Sequence, residues 1–108
     1  MIGNVTKLMS IIEEFRKMDA EMQMQTAMAF LVVAKNEGCT VKELGDRLGL
    51  SGAAASRNVA ALSDIHRKGR SGHKVIVAKI DLDDRRVRKL HLTPKGRAVL
   101  NTLAAQIG

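Results

Sequence analysis

Helix punctuation between residues 40 and 94 constrains the fold more than any other feature of this chain. Thr40-Val41-Lys42-Glu43 is a capping box, a hydroxyl cap with Glu three residues on, so a helix opens at Val41. Val41, Leu44 and Leu48 share one face of that short helix, and Gly49 just beyond it allows a sharp turn at positive φ. Ser51 is placed to cap a further helix with Ala55, Val59 and Leu62 inward. Two short helices joined by a glycine turn make a helix-turn-helix pattern. Thr93-Pro94, a capping hydroxyl followed by Pro at the first helical position, opens a last helix. Its apolar side holds Ala98, Val99, Leu100, Leu103, Ala104 and Ile107.

The segment between these helices changes character. Ser63 to His73 carries Gly69, Ser71 and Gly72 among charges and reads as a loop. Lys74 to Ile80 is β-rich, Asp81 to Arg85 is a polar turn around Leu82, and Arg86 to Leu92 alternates. A basic β-hairpin directly after a helix-turn-helix is the winged-helix order. Upstream, Val5, Leu8, Ile12 and Phe15 form one helical stripe with Asn4 as its N-cap, and Asp19 is placed to cap a second helix from about Ala20 to Lys35, stopped by Gly38. In that second helix Met24, Ala27, Met28 and Leu31 form one apolar stripe and Phe30, Val33 and Ala34 another. A helix apolar on most sides packs in a core, here against the first helix or a second subunit. The expected fold is mainly α with a β-hairpin wing, a winged helix-turn-helix flanked by N- and C-terminal helices. One domain is expected over 1–108: a helical part with dimer contacts over 1–38, the helix-turn-helix over 40–62, the wing over 74–92 and the last helix over 93–108.

With 108 residues the chain has the length of one domain with one modest core. The charge is 18 Lys+Arg against 11 Asp+Glu, a net of +7. It is unevenly spread: 6 Lys+Arg against 7 Asp+Glu in residues 1–54, but 12 against 4 in residues 55–108. A neutral half beside a basic half points to a polyanion-binding face, by nucleic acid or by anionic membrane. No apolar run approaches the roughly 20 residues of a membrane span, no signal peptide is apparent, and the single Cys39 excludes an intrachain disulfide. A cytoplasmic, nucleoid-associated location is expected. His66, His73 and His91 lack zinc-site spacing, and nothing suggests a catalytic triad or a nucleotide cradle. No catalysis, metal or cofactor is expected. Cys39 reads as a small buried hydrophobe.

Asp84-Arg85-Arg86-Val87-Arg88 through Leu92-Thr93-Pro94-Lys95-Gly96 resembles the wing of the MarR (multiple antibiotic resistance regulator) family, with its Asp-x-Arg and its Leu-Thr-x-x-Gly at the family's spacing. Thr40 to Leu62 resembles the family's helix-turn-helix run, and the match covers roughly residues 24–100. The resemblance implies a duplex-DNA-binding transcriptional regulator, bacterial or phage, in which the helix from Ser51 enters the major groove. It places Arg86 in the minor groove with Asp84 holding its guanidinium. Family members carry an extended pair of C-terminal helices where this chain has one, so DNA contact carries over more directly than dimer geometry or ligand sensing.

On the recognition helix, Ser51, Gly52, Ala53, Ala54, Ser56, Arg57 and Asn58 are left for the outward side. Arg57 suits guanine or a phosphate, Asn58 suits adenine, and Ala53 or Ala54 suits a thymine methyl. Lys74, Arg85 and Arg88 are further DNA-contact candidates, and Lys79, Lys89, Lys95, Arg67, Lys68 and Arg70 are phosphate candidates. Six methionines in the first 28 residues, with the apolar stripes of both end regions, imply a homodimer. A two-fold dimer sets recognition helices about 34 Å apart and implies a pseudopalindromic site. The alternative is an adaptor whose basic wing contacts a protein such as RNA polymerase. Single-strand or RNA binding is disfavoured because Phe15 and Phe30, the two aromatics, lie on apolar stripes. Membrane binding is disfavoured because the cations lie on a hairpin and loops rather than on an amphipathic helix.

Overall fold

The computed structural model describes residues 1–64 and 71–108. Helix α1 spans Ile2–Met18, α2 Met24–Lys35, α3 Val41–Leu48, α4 Gly52–Leu62 and α5 Pro94–Ile107. Strands β1 (Cys39–Thr40), β2 (Ile76–Ile80) and β3 (Arg88–Leu92) form an antiparallel sheet in the order β1-β3-β2. This is the expected winged helix, with one strand more than the sequence reading. β1 is too short to show a period-2 pattern, and it exists because β3 offers Cys39 and Thr40 a partner edge at Leu90 and Lys89.

The apolar stripes meet in one core. Phe15 of α1 and Phe30 of α2 pack edge to face, with ring centroids 6.0 Å apart at 77°. Around them lie Val33, Cys39, Leu44, Leu62, Val75, Ile76, Leu90, Leu92 and Leu103. Thus the Phe30/Val33 stripe of α2 faces inward. The Met24/Met28/Leu31 stripe is left exposed, as are Val5, Leu8 and Ile12 of α1.

Two N-terminal caps differ from expectation. The N-cap of α1 is Met1, not Asn4, and it makes no side-chain cap bond. Helix α2 begins at Met24 with Gln23 as N-cap rather than at Ala20. Asp19 instead accepts the Glu21 backbone N–H at 2.9 Å, a local turn that competes with helix formation. The strands are also shorter than expected: Lys74 and Val75 precede β2, and Arg86 and Val87 belong to the turn before β3.

Candidate nucleic-acid interface

Local chemistry sets the helix-turn-helix. The Thr40 hydroxyl accepts the Glu43 N–H at 3.1 Å while the Glu43 carboxylate accepts the Thr40 N–H at 3.0 Å, so two N-terminal donors are satisfied reciprocally. That backbone bond is the first cause holding the Glu43 carboxyl below its ordinary value. Helix α3 ends at Gly49 in the left-handed region, φ 66°, where any side chain would be strained. Ser51 then caps α4, its hydroxyl accepting the Ala54 N–H at 3.1 Å.

The wing is bolted to the far end of α4. The N–H groups of Gly72, His73, Lys74 and Val75 donate to the carbonyls of Asp64, Ala61, Ser63 and Leu62 at 2.9–3.1 Å. Two of these, Ala61 and Leu62, are carbonyls that the helix terminus leaves without partners, so the chain entering the hairpin is tied to the end of α4. At its other end the wing joins α5 through Thr93. The Thr93 hydroxyl donates to the Lys74 carbonyl at 2.7 Å and accepts the Gly96 N–H at 3.0 Å. A Cβ on Gly96 would stand 1.9 Å from the Val75 carbonyl oxygen, so only glycine admits this approach.

Ser51, Gly52, Ala53, Ser56 and Arg57 are exposed on α4, as expected. Gly52, Ala53, Ser56, Arg57 and Ala60 line a shallow, mostly apolar groove along its outer face. Asn58 is a correction: it is 5% exposed and points into the protein. Its Oδ1 accepts the Thr26 hydroxyl of α2 at 2.6 Å, and its Nδ2 donates to the Ala54 carbonyl at 2.9 Å. An amide so committed cannot reach an adenine. Ala54, the alternative methyl contact, is buried as well. Because α4 packs on both α2 and α3, its buried arc takes in Ala54, Ala55, Asn58 and Leu62, while Val59 is half-buried.

On the hairpin turn the Asp84 carboxylate accepts three bonds from Arg86: the backbone N–H at 3.1 Å, Nε at 3.2 Å and Nη2 at 3.4 Å. Bonding to the guanidinium, then to the backbone, holds the Asp84 carboxyl below its ordinary value. The Arg86 side chain stays 91% exposed. The structure therefore brings Asp84 and Arg86 together as the resemblance implied. Arg85 is exposed, and Arg88 reaches back to the Arg85 carbonyl at 3.3 Å. Lys79 and Lys89 stand directly opposite each other across β2 and β3, a like-charge pair that costs stability. Asp81, 3.7 Å from Lys89, offsets part of that cost. Lys74 is exposed at φ 60°, between the end of α4 and β2. Among the described residues Arg57, Lys74, Lys79, Arg85 and Lys95 have no carboxylate partner. Arg67, Lys68 and Arg70 lie outside the described residues, as does His66.

Two positions escaped the sequence reading. Thr26 is one, as the partner of Asn58. Glu37 is the other: its Oε1 accepts the Leu92 backbone N–H at 2.9 Å, and its carboxylate meets Arg97 of α5 at 3.1 Å. The Leu92 bond is the first cause holding the Glu37 carboxyl below its ordinary value, and it outweighs desolvation, the largest opposing effect. Capping residues can be read from spacing alone; a partner 55 or 60 positions away cannot. Cys39 is buried, and desolvation pushes its thiol up, which disfavours the reactive thiolate.

A hairpin docked on the second helix of a helix-turn-helix defines a winged helix-turn-helix protein. Residues 21–64 match the model of the MarR family. Solved structures share the fold along most of the chain. The S. aureus MepR–DNA complex aligns with a TM-score of 0.77 at 16% identity, covering 99% of this chain and 79% of that one. Streptococcus pneumoniae FabT in complex with DNA gives 0.64 at 22%, covering 93% and 66%. The PcaV regulator from Streptomyces coelicolor, in complex with its natural ligand, gives 0.62 at 23%, covering 81% and 56%. This chain thus spans 56–79% of the length of these three relatives in fold. No curated protein matches the sequence.

Proposed function

We propose that this chain is a sequence-specific, double-stranded-DNA-binding transcriptional regulator that acts by binding rather than by catalysis. Helix α4 enters the major groove through Ser51, Gly52, Ala53, Ser56 and Arg57. Arg86, steadied by Asp84, enters the adjacent minor groove, and Lys74, Arg85 and Arg88 meet phosphates or the groove edge. The observation that carries this reading is the pairing on one chain of an exposed, capped helix face with a hairpin turn whose Arg86 is steadied by Asp84, the segment leading into the hairpin being hydrogen-bonded to the end of α4. The opposed Lys79 and Lys89 support it, since a polyanion relieves their repulsion. So do the DNA complexes of MepR and FabT.

The protein works as a homodimer on a pseudopalindromic site. Val5, Leu8, Met9 and Ile12 of α1 and Met24 and Met28 of α2 are exposed apolar side chains that a single copy leaves uncovered. Among the described residues no helix is long and apolar enough to cross a membrane; the working location is the nucleoid.

Selection of the purified protein against a random duplex library, followed by fluorescence anisotropy on the winner across a salt series, tests the reading. The expected result is a two-fold-symmetric site whose affinity falls steeply as salt rises. Absence of duplex affinity at low salt would sink it. That outcome favours the second reading, an adaptor that binds a protein partner through the wing, for which the 91% exposed Leu82 at the hairpin turn offers an apolar contact.

A further inference from the structure

We propose that α4 reads thymine through its C5-methyl group, with guanine as the one base it selects by bidentate hydrogen bonding. The proposal rests on the DNA-binding reading above and says which bases the helix takes.

It follows from what α4 has left to offer. The Ser51 hydroxyl accepts the Ala54 N–H in the helix cap and has its own O–H left to donate. The helix contains no Asp or Glu, so no carboxylate accepts from the cytosine N4 amine. Adenine is read bidentately by Asn or Gln, and the one such residue, Asn58, is buried and bonded to Thr26 and Ala54. Outward-facing hydrogen-bonding capacity is confined to the Ser51 and Ser56 hydroxyls, which suit any base and select none, and to Arg57. Arg57, without a carboxylate partner among the described residues, suits the O6 and N7 of guanine.

The rest of the outer face is small and apolar. Gly52, Ala53 and Ala60 line a shallow groove rimmed by Ser56 and Arg57. Surface helices ordinarily carry long charged side chains there. Here their absence lets the helix approach the base edges closely, and the thymine methyl is the one apolar group that DNA displays in the major groove. The occupant is fixed by charge as well as by shape: Arg57 edges the groove, and the wing attached to the same helix carries exposed Arg85, Arg86, Arg88 and Lys79. An apolar peptide would gain nothing from that surround, whereas a duplex satisfies it through phosphates.

The test uses the purified full chain and its selected duplex. Each thymine of the half-site is replaced in turn by deoxyuridine, which deletes the methyl and keeps the base pair. Anisotropy should show about a three- to four-fold loss of affinity at one or two positions beneath α4, the factor that one buried methyl supplies. The Ala53→Gly variant should bind the thymine and uracil duplexes alike at the position that Ala53 covers. Equal affinity across the whole uracil series, or undiminished discrimination by Ala53→Gly, would overturn the proposal while leaving the DNA-binding reading intact. Failure of the unaltered protein to bind any duplex overturns both.

Discussion

Four backbone hydrogen bonds tie the segment leading into the wing, Gly72 to Val75, to the last turn of α4 and the two residues after it, yet helix and wing carry opposite chemistries. The outer face of α4 offers Gly52, Ala53, Ser56 and Ala60 with a single cation, Arg57. The wing offers Lys79, Arg85, Arg86, Arg88 and Lys89. The helix is pinned to α2 through Asn58 and has little to hydrogen-bond with outward, whereas the wing is highly charged. In the DNA-binding reading proposed above, affinity and sequence preference would fall to two different elements: charge on the wing would supply the salt-sensitive attraction, and the fit of the small-residue helix face would supply discrimination.

Rigidity of α4 depends on its buried polar pin, so the largest effect is expected there. Asn58→Ala removes the acceptor of the Thr26 hydroxyl and opens a gap between α2 and α4. A loss of about 2–3 kcal/mol in urea denaturation is expected. Thr26→Val combined with Asn58→Leu removes both polar groups at once and should recover much of the stability, because replacing both partners by apolar groups is nearly neutral. If the pin serves orientation, the double variant will still bind duplex DNA but with a reduced ratio of specific to non-specific affinity. A stable double variant with an unchanged ratio would mean that the pin merely fills space.

Arginine replacements on the two elements should then behave differently. Arg57→Ala is expected to cost about 2 kcal/mol on the selected site and to relax preference at one base pair. Arg86→Ala is expected to weaken binding more evenly across sequences and to lower the slope of log affinity against log salt by about 1. The strongest wing effect should appear on sites with a narrow minor groove. Identical behaviour of the two variants, in slope and in base preference, would erase the distinction between helix and wing.

The sequence made the helix-turn-helix and the wing legible because their signals are short-range. Thr40 with Glu43, Gly49, Ser51, and Thr93 with Pro94 act within four residues of themselves, and each takes its expected role. The Asp84–Arg86 contact, two residues apart, was carried by a family motif. Asn58 was misplaced because the inward arc of α4 is set by α2, and Thr26 lies 32 positions earlier. Asp19 has the chemistry of a cap, but that chemistry serves a turn as readily as a helix start, and only the packing of α2 decides between them. β1 and the Glu37 clamp escaped for the same reason as Thr26: each needs a partner brought by the fold.

Glu37 gives the smallest effect and the one that bears on how the wing is held. It ties the start of β1 to β3 through Leu92 and to α5 through Arg97, whereas α4 has no comparable ionic tie among the described residues. Its folded-state carboxyl titrates below its ordinary value of 4.5. Stability from this group is therefore complete above that value, where the carboxylate is charged in folded and unfolded chains alike, and drains away as pH falls through the depressed folded value. Glu37→Gln should lower stability modestly at pH 7, lose that effect as pH falls below the depressed folded value, and flatten the acid limb of a stability-against-pH curve. Because the side chain is partly exposed, solvent screening keeps the change small. Loss should appear first in the wing: in hydrogen exchange, amides of β2 and β3 are expected to lose protection before those of α4. Equal loss in both would mean that α4 and the wing open as one unit, and that the backbone bonds from residues 72–75 to the end of α4 outweigh the separate clamp on β3.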